Sequence, residues 1–196
     1  MDILKEMKTI RIRSDIPAFL SLYGMNRRIC EVGVRFGYNF QQLLSCKPEL
    51  AIGIDHYRNK GVAGEQDTGL DQGKLDKIHA DTFLRFLSFP CARILRERSE
   101  VAVTMFPLSY FDFIYVDADH TREGALKDIR LWWGRVRQGG ILAGHDYIET
   151  TSQNGVPFGV VGAVAEFLKE KKIPATQLHV TGEGYRTWML YKQEGE

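Results

Sequence analysis

The sequence has few cysteines and no hydrophobic run long enough to cross a membrane, and these absences restrict where the protein works. Cys30, Cys46 and Cys91 are its three cysteines, and no pair has the C-x-x-C spacing of a metal or redox site. The N-terminus lacks an apolar stretch behind a basic start, so it does not resemble a secretion signal. We therefore expect a cytoplasmic protein with buried, reduced thiols.

An excess of charge of one sign is also missing. The 26 Lys and Arg residues nearly balance the 25 Asp and Glu residues, which leaves a net charge of +1. Such a chain has no long-range field for nucleic acid or for an anionic membrane, so we expect neither as a partner. Internal repeats, low-complexity segments and linkers are absent too. With 44% hydrophobic residues, the sequence predicts one domain that spans residues 1–196.

Strand-like and helix-like segments alternate along most of the chain. Residues 29–34 and 111–117 are apolar runs of strand length, and helical spacing of apolar residues follows each of them. Gly139 and Gly140 are predicted to end a helix, and Ile141 to begin the fifth strand. The alternation predicts an α/β fold with a Rossmann-like, doubly wound, mainly parallel sheet, to which a C-terminal hairpin adds an antiparallel strand.

A glycine-bearing turn connects the first clear strand to the next helix. Gly33 and Gly37 flank this turn, and Asp55 ends the second strand about 20 residues further on. Such glycines let the backbone pass close to a ligand, and such an acid can bind a pair of ribose hydroxyls. Arg35 replaces the middle glycine of a dinucleotide fingerprint, and the acid Glu31 precedes the turn, so a pyrophosphate is disfavoured. The turn predicts a nucleoside site, and an ordinary turn whose glycines relieve backbone strain is the other interpretation.

Ionisable residues follow two later strands. Asp117, Asp119 and His120 end one of them, and His145 and Asp146 end the next. Because the carboxyl ends of parallel strands meet at one edge of the sheet, we expect these side chains to converge there. Two carboxylates and an imidazole would suit Mg²⁺ or Mn²⁺; without a metal, either histidine would serve as a general base. A structural role, in which the imidazoles bond to a helix end or a loop, is the third interpretation.

These patterns together resemble a known family. Glu31-x-Gly33-x-x-x-Gly37 is similar to motif I of the class I S-adenosylmethionine-dependent methyltransferases, in which the acid faces the methionine end of the cofactor. The D-x-D-H motif at 117–120, the paired tryptophans at 132–133 and the H-D-Y motif at 145–147 resemble the small family related to macrocin O-methyltransferase. That family is more distantly related to catechol O-methyltransferase. The macrocin-type enzymes carry an acidic pair where this chain has His145 and Asp146.

The resemblance implies an enzyme of class EC 2.1.1.- that methylates a hydroxyl of a small-molecule acceptor. Its cofactor would be S-adenosyl-L-methionine, bound by Glu31, Gly33, Gly37, Asp55, Ser99 and Asp117. Asp119, His145 and Asp146 would be the catalytic residues, and the same three would be the ligands if Mg²⁺ or Mn²⁺ is used.

The sequence does not identify the methyl acceptor, and it leaves open whether the protein is catalytically active. Tyr38, Tyr57 and Tyr147 are candidates for the acceptor pocket, whereas the 56–70 loop, interpreted as a lid, and the 150–158 crossing would set specificity. An alternative is a non-catalytic nucleoside-binding relative of the fold that acts as a sensor or partner module. A nicotinamide-dependent dehydrogenase is a weaker alternative because the middle glycine is missing. A homo-oligomer is compatible with the sequence.

Overall fold

The computed structural model describes residues 2–58, 70–151 and 157–193. Its helices are α1 (Ile3–Met7), α2 (Ile16–Leu22), α3 (Tyr38–Leu43), α4 (Gln72–Leu87), α5 (Ser99–Ala102), α6 (Arg122–Trp133) and α7 (Val160–Lys171). Its strands are β1 (Arg28–Val32), β2 (Leu50–Ile54), β3 (Ala92–Leu95), β4 (Phe111–Val116), β5 (Val136–Gly144), β6 (Leu178–Val180) and β7 (Trp188–Tyr191). Residues 59–69 of the predicted lid and 152–156 of the predicted crossing lie outside the described residues.

The strands form one sheet in the order β3-β2-β1-β4-β5-β7-β6. The first five strands are parallel, whereas β7 pairs antiparallel with both β5 and β6. This arrangement confirms the predicted doubly wound, mainly parallel α/β sheet with a C-terminal hairpin. The chain leaves β1 towards β2 and later returns to β1's other side with β4, so the strand order reverses there. Open α/β sheets bind ligands at the carboxyl ends of the strands beside this reversal.

Both faces of the sheet are covered by apolar side chains. Because successive side chains of a strand point to opposite faces, Ile29 and Cys30 of β1 enter two different clusters. One cluster joins Ile114 to the helices α6 and α7 through Trp132 and Phe167, and the other joins Phe113 to Phe40 and Phe86. Among the described helices, none has both the length and the apolar character that a bilayer crossing needs.

Strand β5 begins earlier than the sequence analysis predicted. It starts at Val136 and includes Gly139 and Gly140, whereas α6 already ends at Trp133. The pairing of β4 with β5 changes register between Phe111 and Phe113, and Gly139 has a φ of +72°. A Cβ on Gly140 would lie 2.7 Å from the carbonyl oxygen of Asp112. The two glycines therefore form an irregularity inside the strand, not the break before it.

The segment between α1 and α2 is held by the C-terminal hairpin. The N–H of Gly182 donates to Arg11 O at 2.8 Å, and His179 Nε2 lies 2.8 Å from Ile10 O. The N–H of Arg13 donates to Glu183 Oε1 at 3.1 Å. These contacts fix Arg13 at the carboxyl edge of the sheet.

Candidate active site

A pocket of about 770 Å³ opens at the carboxyl ends of the parallel strands. It is lined by most of the residues predicted from the sequence: Glu31, Gly33, Tyr38, Asp55, Tyr57, Ser99, Asp117, Asp119, His145 and Asp146. Gly37 and Tyr147 are not among its lining residues. The structure therefore brings the cofactor candidates other than Gly37, together with the strand-end acids and histidines, to one cavity.

The two glycines of the first turn allow neighbouring elements to pack closely against the turn. Gly33 has a φ of +93°, and a Cβ there would lie 1.9 Å from the carbonyl oxygen of Asp117. Gly37, with a φ of +76°, precedes α3, and its Cβ would lie 2.5 Å from the ring of Phe86. A side chain at either position would collide with a neighbouring element. Gly33 contacts the end of β4, and Gly37 contacts the apolar core instead of the pocket.

Glu31 and Asn39 carry buried polar atoms that face the pocket. Glu31 is 1% exposed and Asn39 is 8% exposed. Within the described part of the chain, Glu31 Oε2 and both side-chain amide atoms of Asn39 lack a hydrogen-bond partner. Burial, and then the neighbouring Asp117, raise the pKa of Glu31, whereas the adjacent Asn39 amide and Arg13 act to lower it. Unpartnered buried polar atoms are rare in proteins, and because Glu31 and Asn39 line the pocket, a polar ligand or a water molecule there would satisfy them.

Asp55 bonds to the turn as well as lining the pocket. Its Oδ2 accepts from Arg35 N at 2.8 Å, and its Oδ1 accepts from Tyr57 N at 2.9 Å. Tyr57 in turn donates its hydroxyl to Arg35 O at 2.9 Å. Each carboxylate oxygen has a second lone pair, so Asp55 can accept hydroxyls of a ligand while it holds the turn.

Ser99 belongs to a polar cluster that the sequence analysis did not identify. Its hydroxyl donates to Asp128 Oδ1 and accepts from Trp132 Nε1, which lies 2.8 Å away. Asp128 is 5% exposed and lines the pocket, and burial raises its pKa to about 6. A signal for it exists in the sequence, because Asp128 lies three residues after Ala125 and four before Trp132, on the apolar face of α6.

Two imidazoles share one carboxylate where β4 and β5 end. His120 Nδ1 lies 2.7 Å from Asp146 Oδ2, and His145 Nδ1 lies 3.0 Å from Asp146 Oδ1. Burial acts to raise the pKa of Asp146, but the bonds to the imidazoles outweigh it and hold that pKa well below its usual range. His145 Nδ1 is also 3.8 Å from Asp117, whose pKa is raised by burial. Asp146 has a φ of +55°, a left-handed conformation that Asp tolerates better than most residues.

The acids and imidazoles that lie closest together are not the three residues that the sequence analysis gave as possible metal ligands. Among the described residues, the group close enough to hold a metal ion is Asp117, His120 and Asp146, whose ligand atoms lie within 4.8 Å of one another. Asp119 accepts from Thr121 N at 2.8 Å, and its carboxylate packs against Gly124 in the first turn of α6. This group shares Asp146 with the predicted set of Asp119, His145 and Asp146, and all five residues line the same pocket.

Aromatic rings surround the outer end of this cluster. The Tyr185 ring stacks on His145 with centroids 6.2 Å apart, and the Phe158 ring lies 5.1 Å from that of His120. Phe158 and Tyr185 are 6.3 Å apart, and both line the pocket. The sequence analysis assigned the acceptor end to three tyrosines instead, since the return of the hairpin to this edge is a feature of the tertiary fold.

Comparisons with known proteins show the family and the fold of this chain. A family model described as a methyltransferase domain matches residues 30–147. No curated protein matches the chain.

Several solved structures have a similar fold. The O-methyltransferase from Bacillus cereus, in complex with SAH, has a TM-score of 0.60 at 15% identity, covering 92% of this chain and 80% of that one. The O-methyltransferase TomG from Streptomyces achromogenes, involved in tomaymycin synthesis and in complex with SAM, has a TM-score of 0.60 at 14% identity, covering 92% and 79%. Spermidine synthase from Thermotoga maritima has a TM-score of 0.54 at 18% identity, covering 92% and 59%. At these identities the likeness shows the fold.

Proposed function

This chain belongs to the methyltransferase-domain family and has the class I fold, and from that premise we propose that it transfers a methyl group from S-adenosylmethionine to an oxygen of a small-molecule acceptor. The observation that carries the proposal is the continuity of one pocket from Glu31 and Asp55 to the imidazoles around Asp146. The first end suits an amino acid and a ribose, and the second suits a hydroxyl that must lose a proton.

The cofactor end is supported by three kinds of contact. Glu31 offers a buried carboxylate oxygen without a partner in the described chain, which suits the ammonium group of a methionine moiety. Asp55 offers lone pairs for ribose hydroxyls, as the acid after a second strand does in nucleoside sites. Ser99, which the resemblance places among the cofactor-binding residues, begins α5 and donates its hydroxyl to Asp128 of α6. The similar proteins from Bacillus cereus and Streptomyces achromogenes hold SAH and SAM respectively.

The acceptor end has the parts of a general base. Asp146 bonds to Nδ1 of His145, so Nε2 is the nitrogen that would take the proton from the acceptor hydroxyl. Asp146 orients the ring and stabilises the imidazolium, while Tyr185 packs on the ring's face. The cofactor, when bound, supplies the electrophilic methyl group. The residues therefore align the acceptor oxygen with the methyl group, accept its proton and exclude water.

Calorimetry with S-adenosylmethionine and S-adenosylhomocysteine tests the proposal. We expect saturable binding of both and none of a nicotinamide dinucleotide. The release of S-adenosylhomocysteine should then be measured with a panel of phenols and sugar hydroxyls. Binding of the dinucleotide alone would overturn the proposal, and cofactor binding without turnover on any acceptor would favour a non-catalytic sensor or partner module.

The resemblance to the macrocin-type enzymes raises a second question, which is whether a metal ion binds at the strand ends. Asp117, His120 and Asp146 offer two carboxylates and an imidazole, a set that would suit Mn²⁺ better than Mg²⁺. The carboxylate of Asp146 is already bonded to two imidazoles, and this favours the metal-free base. We expect a chelator to leave turnover unchanged. Loss of turnover with a chelator and its return with Mn²⁺ or Mg²⁺ would assign the three residues to a metal instead.

A further inference from the structure

We propose that Arg13 recognises the α-carboxylate of the cofactor's methionine moiety and so distinguishes the complete cofactor from one that lacks this group. The inference rests on the proposed function, because it names the residue that would bind one end of the proposed cofactor. No motif indicated Arg13, which lies 15 residues before the start of the first strand.

Arg13 reaches the pocket from outside the sheet. It is half-buried and lines the same cavity as Glu31, Asn39 and Asp117. Its backbone N–H donates to Glu183 of the C-terminal hairpin. The turn over residues 11–15, which contains Arg13, is closed by bonds from Arg11 N and Ile12 N to Asp15 Oδ2, at 2.9 and 3.1 Å. The backbone of this residue is thus fixed before any ligand binds, which reduces the entropy lost when its side chain is used.

The groups around Arg13 lie on one face of the sheet. Glu31 of β1 is the register partner of Tyr115 of β4, and Asp117 follows two residues later on the same face. Burial lowers the pKa of Arg13, but Tyr115, which also hydrogen-bonds to the guanidinium, and the acids Asp117 and Glu31 outweigh it and raise that pKa. The corner therefore contains two buried acids, one guanidinium and the amide of Asn39.

This set of groups matches an amino acid zwitterion. An ammonium group placed between Glu31 and Asp117 would compensate their charge, and a carboxylate beside it would take the fork of Arg13. The unpartnered amide of Asn39 can donate to the same carboxylate. Three of the other lining cations have contacts elsewhere: Arg98 and Lys127 face Glu100 at 3.7 and 3.4 Å, and Arg35 lies over the ring of Phe36.

The competing role for Arg13 is that of a counter-ion for the two buried acids. Calorimetry with two ligands separates the roles: S-adenosylhomocysteine and its decarboxylated analogue, which keeps the amino group, the thioether and the nucleoside. We expect wild-type protein to bind S-adenosylhomocysteine more tightly. Arg13→Ala should weaken that binding about 10- to 100-fold and leave the analogue's affinity unchanged or higher, so the preference disappears.

Two further variants keep the result interpretable. Arg13→Lys retains the charge without the fork and should recover part of the preference. Arg11→Ala changes an exposed residue of the same segment and should retain the wild-type preference. Equal weakening of both ligands by Arg13→Ala, or no change in either, would overturn the inference while leaving the proposed function intact. The proposed function would fail separately if the wild-type protein bound neither ligand.

Discussion

The two ends of the pocket differ in how their polar side chains are partnered. At the ends of β1 and β2, Glu31 and Asn39 keep buried atoms without a partner in the described chain. At the ends of β4 and β5, the carboxylate of Asp146 is bonded to two imidazoles and Asp119 to the helix that follows. The first end is incomplete until a ligand arrives, whereas the second is assembled beforehand.

This difference separates affinity from chemistry. Buried polar atoms that only a ligand can satisfy make binding favourable and specific, because leaving them unpaired is costly. Groups that are already oriented by their neighbours need no reorganisation when charge develops in the reaction. Changes at the first end should therefore act mainly on cofactor affinity, and changes at the second end mainly on turnover.

The largest effect is expected at the second end. His145→Ala removes the proposed base and should lower turnover about 10²–10⁴-fold, with cofactor affinity almost unchanged. Turnover is measured on the best acceptor of the panel, and affinity by calorimetry. If both quantities fall together, the comparison between the two ends is wrong. If turnover is retained, the contacts of His145 with Asp146 and Tyr185 are structural and His145 is not the base.

Asp55→Ala should produce a smaller effect, and this effect should be on cofactor affinity instead of on turnover. It removes the proposed acceptor for the ribose hydroxyls and the bonds to Arg35 N and Tyr57 N. We expect a loss on the order of 1.5–3 kcal/mol in cofactor binding, with turnover at saturating cofactor less affected. An unchanged dissociation constant would place the ribose elsewhere. Asp55→Asn, which keeps one carbonyl acceptor, should show an intermediate loss.

The smallest effect concerns Asp128 and the pH dependence of stability. Burial raises its pKa to about 6 in the folded protein, above the ordinary value of 3.8 for an aspartate. The folded state therefore holds the proton more tightly, and the stabilisation from this group is complete below about pH 4 and is lost as the pH rises through about 6.

Asp128→Asn lacks this titration. Relative to the wild type, its free energy of unfolding should increase by on the order of 2 kcal/mol between about pH 4 and pH 7. Urea unfolding of both proteins without ligand at the two pH values measures the change. A difference between the two proteins that does not vary with pH would show that burial of Asp128 has little effect on its ionisation.

The sequence predicted the order of the elements because local patterns specify it. Alternating apolar strands and amphipathic helices indicated the doubly wound sheet, and acids and histidines at strand ends indicated the edge where they meet. The predicted start of β5 was wrong because a pair of glycines is also compatible with an irregularity inside a strand. Only the pairing of β5 with β4 shows which of the two applies.

The site was predicted only in part because several of its groups meet through tertiary contacts. Asp119 and Asp117 are two residues apart and both precede His120, so the sequence does not show which carboxylate turns back to α6. Arg13 and Tyr185 come from opposite ends of the chain and reach the pocket because the hairpin packs against the N-terminal segment. Asp128 is the exception, since an acid on an apolar helix face is visible in the sequence.

Gly33 has a consequence for any attempt to engineer this protein. Its α-carbon faces the carbonyl oxygen of Asp117 so closely that a single methyl group would not fit, while its N–H donates to Ile54 O at 2.8 Å. The turn at the cofactor end, the end of β2 and the end of β4 are thus in direct contact. Grafting a turn with another residue at this position would displace the acid that faces His145, so the two ends of the pocket must be redesigned as one part.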